Sequence, residues 1–186
     1  MIISRELPAN YEFEALTESP QPERLPHYYF PGASLKGGRD GILIRVTPRD
    51  EEPWIGTFEF GSCGLSGLFC TPDPDQLLVV SRGAAYLVGA ATPADSDQLP
   101  IFHITDVRTL LQPGLIIIAD HTDLYAYGRA GLIWKTDRLC LDDLTILEIT
   151  DTVIRGEGRE RELFGSDPFE VRLSDGDRNG GLPADF

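Results

Sequence analysis

The stretch LLVVSRGAAYLVG runs from Leu77 to Gly89, and LIIIADHTDLYAYG runs from Leu115 to Gly128. Both place a run of four branched aliphatic residues before a short polar segment, and a second apolar run after it. Runs this short, rich in β-branched and aromatic residues and split by a turn, are the pattern of a β-hairpin. In the first copy only Ser81 to Ala84 separate the runs, so a tight turn is predicted with Gly83 at positive φ. Leu77–Val80 align with Leu115–Ile118, Tyr86 with Tyr125 and Gly89 with Gly128, an offset of 38 residues before the turn and 39 after it. A repeat near 40 residues carrying several strands is the period of a propeller blade. A closed ring needs about four blades, which the chain after Gly41 barely supplies. The expected fold is therefore all-β: consecutive antiparallel hairpins in a partial or irregular propeller-like or β-sandwich stack.

The neighbouring segments agree. GILIRVT and IGTFEFG are short strand-like runs. AGLIWKT follows an Arg129–Ala130–Gly131 turn, and LTILEITDTVIRGEG reads as two strands about Thr150–Asp151–Thr152. FEVRLSDGD alternates Phe169, Val171 and Leu173 onto one face. HITDVRTLLQPG fits helical spacing through Val107, Leu110 and Leu111, and strand spacing through Thr105, Val107 and Thr109. The strand reading is preferred. Nineteen Gly and fourteen Pro suit many turns better than long helices.

Residues 1–40 are the least periodic part, with four Pro and four Gly in ESPQPERLPHYYFPGASLKGGRDG. They are read as an extended arm packed on a single β-rich domain, 41–186, and anchored by Tyr28, Tyr29 and Phe30. A chain of 186 residues with 41% hydrophobic and 25% charged residues has the composition of a globular protein. Trp54 and Trp134 are expected in the core.

The formal net charge is -14. A surface of that sign repels phosphate backbones and anionic lipid, so neither nucleic acid nor a membrane is an expected partner; a basic protein partner or a cation suits the charge better, and acidity by itself also serves solubility. Cys63, Cys70 and Cys140 are odd in number and form no CxxC. MIISRELPANYEF lacks the pattern of a secretory leader, and no apolar run is long enough for a membrane helix. The expectation is a cytoplasmic protein with free thiols, Cys70 and Cys140 lying in the core.

Two segments carry residue types that do chemistry. Asp120, His121 and Asp123 offer carboxylate and imidazole donors for a divalent ion, with His103 or His27 as further ligands. HExxH, HxH and CxxC are absent. The aligned SRGAA makes the same connection with no ligand at all, so ADHTD is read as a hairpin turn. Asp175, Asp177 and Asn179 alternate as in the first half of a calcium loop, but the twelfth position, which requires a bidentate Glu, is Phe186. This is read as a polar turn, and no metal or other cofactor is expected. GLSGLF holds Ser66 between glycines without the GxSxG spacing, and RGEGRERE is read as a solvated hairpin.

The segment YGRAGLIWKTDRLCLDDLTILEI, with GG and P near the C-terminus, resembles a set of uncharacterised bacterial β-rich proteins over about the last two-thirds of the chain. The resemblance implies an all-β fold and brings no reaction, cofactor or site. The functional expectation is a non-enzymatic, cytoplasmic binding module presenting loops to another macromolecule. The alternative is a metal-dependent enzyme or metal-binding protein centred on Asp120, His121 and Asp123.

Overall fold

Leu77–Gly89 is a hairpin: β7 (Gln76–Ser81) pairs antiparallel with β8 (Ala84–Gly89), Ser81 opposite Ala84. Arg82 and Gly83 make the turn at φ 47 and 83, two successive left-handed residues as a type I′ turn requires. The second copy is also a hairpin. There β11 (Leu115–Ala119) pairs with β12 (Leu124–Gly128), closing a loop of four residues, Asp120 to Asp123. The longer loop changes the match. Val79 faces Tyr86 across the first pair, but Ile117 faces Ala126 across the second. Past the turn the structural offset is thus 40, not 39. Since one residue exchanges sheet faces, Tyr86 and Tyr125 do not occupy equivalent places.

The structure, a computed structural model, describes residues 1–18, 25–31, 40–62, 64–159 and 165–182. Among them there are strands and no α-helix, so the all-β class holds. Among the described residues, no helix is long and apolar enough to cross a membrane. The chain divides into two compact units, Met1–His103 and Ile104–Phe186.

In the first unit, β1 (Ile2–Ser4), β6 (Gly67–Cys70), β7, β8 and β9 (Ser96–Gln98) form one sheet in that order. The other sheet runs β2 (Tyr11–Leu16), β4 (Gly41–Pro48), β5 (Trp54–Glu59), β3 (His27–Phe30). The segment read as an arm thus supplies three strands: β2 pairs antiparallel with β4, while β1 and β3 pair in parallel with β6 and β5. Residues 19–24 and 32–39 of that segment lie outside the described residues. Phe30 is buried, its ring stacked on Phe58 at 4.4 Å between centroids, and Tyr28 meets Trp54 edge-on. Tyr29 stays at the surface beside His27. Trp54 is buried and its indole N–H donates to the Ala90 carbonyl.

In the second unit, β10 (Asp106–Leu110), β11, β12 and β13 (Gly131–Lys135) form one four-stranded antiparallel sheet. The other joins β14 (Asp142–Ile149), β15 (Val153–Arg159), β16 (Ser166–Arg172) and β17 (Arg178–Gly180). Strand wins over helix at 106–110 because β10 pairs with β11 along its whole length. The two sheets share one core. Ile117, Ala119, Leu124, Ala126 and Trp134 meet Leu144, Ile146, Ile154, Phe169 and Val171, with Cys140 among them. Residues 155–159 of RGEGRERE, read as part of a solvated hairpin, end an inner strand, the second of the two expected about Thr150–Thr152; 160–162 lie outside the described residues. Arg155, Glu157 and Arg159 face outward while Ile154, Gly156 and Gly158 face in.

Candidate functional site

Turns connecting successive antiparallel strands collect at the two ends of a sheet. One end of the second unit carries the Asp120–Asp123 loop together with Asp142, Asp143 and Arg159. The other carries the turns at 111–114, 129–130, 150–152 and 173–177.

The Asp120 side chain is committed to its own loop. Its Oδ1 accepts hydrogen bonds from the backbone N–H of Thr122 at 2.8 Å and of Asp123 at 2.7 Å. Its Oδ2 accepts from the Tyr125 hydroxyl at 3.0 Å. This is a carboxylate stitching its own turn, and Asp120 is 8% exposed. Burial, reinforced by the Asp120 charge, raises the Tyr125 hydroxyl above its ordinary value. Asp123 accepts from the Thr122 hydroxyl at 2.8 Å and lies 3.8 Å from Lys135. Its carboxyl is raised, chiefly by burial, with Asp120 adding in the same direction against the Thr122 hydrogen bond.

His121 instead lies beside residues far along the chain. Its Nδ1 stands 3.0 Å from Asp142 Oδ1, and His121, Asp142 and Asp143 each offer one donor atom, all within 4.8 Å of one another. The backbone brings them together, since the Leu144 N–H donates to the His121 carbonyl and Leu139 to Thr122. Arg159 occupies the same cluster, ion-paired with Asp143 and 3.9 Å from Asp142. The carboxylates already have a cation. Cys140 lies just beneath, buried, and its thiol is pushed up to about 11 by that burial. Cys70 is likewise buried and free, and Cys63 lies outside the described residues.

The other histidines belong to the first unit and have partners there. His27 Nε2 is 2.8 Å from the Thr57 hydroxyl, and burial lowers its pKa. His103 Nε2 is 2.7 Å from the Ser62 hydroxyl, with His103 at φ 58. A groove in the first unit is bounded by Arg5, Tyr11, Phe13 and Cys70. Ser66 accepts from the Arg82 N–H.

In SDGDRNGG, Asp175 and Asp177 hold Arg172 through separate guanidinium nitrogens at 2.8 and 2.9 Å. The Asp177 amide, and then Arg172, keep the Asp175 carboxyl below the usual carboxylate range. Asn179 sits in β17 opposite Glu170. Gly176 has φ +76, and a Cβ there would stand 2.8 Å from the Trp134 ring. The Asp-Gly-Asp turn therefore covers Trp134, whose N–H donates to the Leu173 carbonyl at 2.9 Å.

Next to that turn lies a feature that no run of sequence announces. Pro113, Leu115, Ile133 and Leu173 floor an open groove of about 540 Å³, edged by Asp151, Thr152, Arg172 and Ser174. Ile133 is the extra residue of a β-bulge, between Leu132 opposite Tyr127 and Trp134 opposite Ala126. Its side chain lies over Gly128, where a Cβ would come within 2.7 Å of Ile133 Cδ1. Leu111, Leu132 and Ile133 are all exposed at this end. Large apolar residues gathered beside a concave surface mark interaction sites more often than singly scattered ones do.

No family model matches the chain, and no curated protein matches it. Among solved structures, a chain from an S. cerevisiae assembly of Dbp5 bound to Nup159, Gle1, IP6 and ADP is similar at 13% identity and TM-score 0.44. The match covers 99% of this chain and 55% of that one. At that score the likeness defines no shared fold.

Proposed function

We propose that the chain is a non-enzymatic binding module whose second unit takes a protein partner in the groove floored by Pro113, Leu115, Ile133 and Leu173. The observation that supports this is an open groove of about 540 Å³ lined by Pro113, Leu115, Ile133 and Leu173, with Ile133 exposed. Binders selected from a random displayed peptide library are expected to slow amide hydrogen exchange at 111–115, 131–135, 150–152 and 172–174. Binders that protect only the first unit sink the reading. The propeller-like stacking suggested by the repeat also stays a proposal, supported by two successive four-stranded meanders within the second unit.

A metal ion is the second reading, and its centre moves from Asp120, His121 and Asp123 to His121, Asp142 and Asp143, the donors that lie together. Arg159 weighs against it, because a divalent ion would have to displace a guanidinium already paired there. With Zn²⁺ or Mn²⁺ added, the melting temperature is expected to stay constant in the natural sequence and in His121→Ala. A ligand that prefers the native state raises it with concentration. A rise in the natural sequence that vanishes in His121→Ala puts the metal reading first.

A further inference from the structure

Resting on the docking reading above, we infer that the groove takes an extended segment of a basic partner protein, with an aliphatic side chain on the floor and lysine or arginine beside it. The floor selects the first part of that chemistry. Pro113, Leu115, Ile133 and Leu173 offer hydrocarbon and no side-chain hydrogen-bonding group. The rim selects the second. Asp151 stands at the turn between β14 and β15 and lines the groove. Arg172, the cation of the lining, is shared between Asp175 and Asp177. Asp175 and Asp177, outside the lining, together outweigh the guanidinium they hold, and Asp151 adds a carboxylate on the lining itself, in keeping with a formal net charge of -14 for the chain. Opposite charge steers a partner in and fixes its register, and like charge rejects the wrong one. A second copy of this chain would bring the same acidic rim against itself, and a phosphate backbone is repelled by the same field. The groove is sized for side chains, so the partner meets it as an extended segment or a protruding loop.

Two labelled peptides test this, each with a Ser-Leu-Val-Ser centre, one flanked on both sides by lysine pairs and the other by glutamate pairs. Fluorescence anisotropy at low salt is expected to show the lysine peptide binding at least about tenfold more tightly, the gap narrowing as salt screens the rim. Asp151→Lys, at an exposed turn, is expected to shrink the gap severalfold. Ile133→Asp is expected to weaken both peptides at least about tenfold, the scale of losing an apolar anchor, with the melting temperature little changed because Ile133 is exposed. Equal binding of both peptides, still sensitive to Ile133→Asp, overturns the basic partner and leaves the docking site standing. Binding indifferent to Ile133→Asp, or no binding, overturns both.

Discussion

Gly156→Ala is expected to cost the second unit about 3 kcal/mol, at the upper end of what overpacking a core does. A Cβ on Gly156 would stand 2.3 Å from Phe169 Cζ and 2.4 Å from the Thr145 carbonyl oxygen. The ring could turn, but the carbonyl belongs to the backbone of the neighbouring strand and cannot move without disturbing the pairing of β14 with β15. Phe169 is itself 2% exposed and held on both sides by the shared core. Glu157→Ala, one residue along on the outward face, is expected to shift stability by no more than about 0.5 kcal/mol. Urea titration followed by Trp134 fluorescence separates the two. Equal small effects would mean that β15 does not run through the middle of its sheet.

That pair of neighbours shows where sequence reading stops. The alternation of Phe169, Val171 and Leu173 is a local signal, and it places β16 with the correct face inward. The glycines of β15 send no such signal, because an inward Gly contributes no hydrophobic side chain to the period. A strand up to Gly158 is still legible, but Arg155, Glu157 and Arg159 make the run from Arg155 look like a solvated hairpin, so its place inside the sheet is not. The first forty residues pose a different problem. Their prolines argue against helix, but whether a non-helical segment becomes a strand depends on β4, β5 and β6, which lie far along the sequence. The same limit applies to the sites. Asp120 reaches its partners within five residues, so the turn was legible. The His121 cluster needs Asp142, Asp143 and Arg159, and the groove needs three separate turns and the bulge of β13. No spacing rule joins residues that only the sheet pairing brings together.

The Asp120–Asp123 loop supports a prediction that ranks its own residues. Asp120→Ala is expected to cost about 2–4 kcal/mol, the scale of stranding buried hydrogen-bonding groups. It removes one acceptor from the amides of Thr122 and Asp123 and another from the Tyr125 hydroxyl, all inside a loop closed by the Asp120 N–H on the Asp123 carbonyl. Asp120→Asn should cost less, about 1 kcal/mol, because an amide oxygen can still serve both N–H groups while the Tyr125 hydroxyl turns to accept from the amide nitrogen. It should also lower the Asp123 pKa, since the neighbouring negative charge is part of what raises it. His121→Ala should cost no more than about 1 kcal/mol, as expected for a half-exposed pair such as His121 with Asp142. The order Asp120→Ala, Asp120→Asn, His121→Ala follows if the loop is a turn held by its first residue. Urea midpoints of the three variants, with carbon NMR titration of the Asp123 carboxyl in the second, test it. A His121→Ala variant less stable than Asp120→Ala would place the weight of this end of the sheet on the imidazole, and the turn reading would fall.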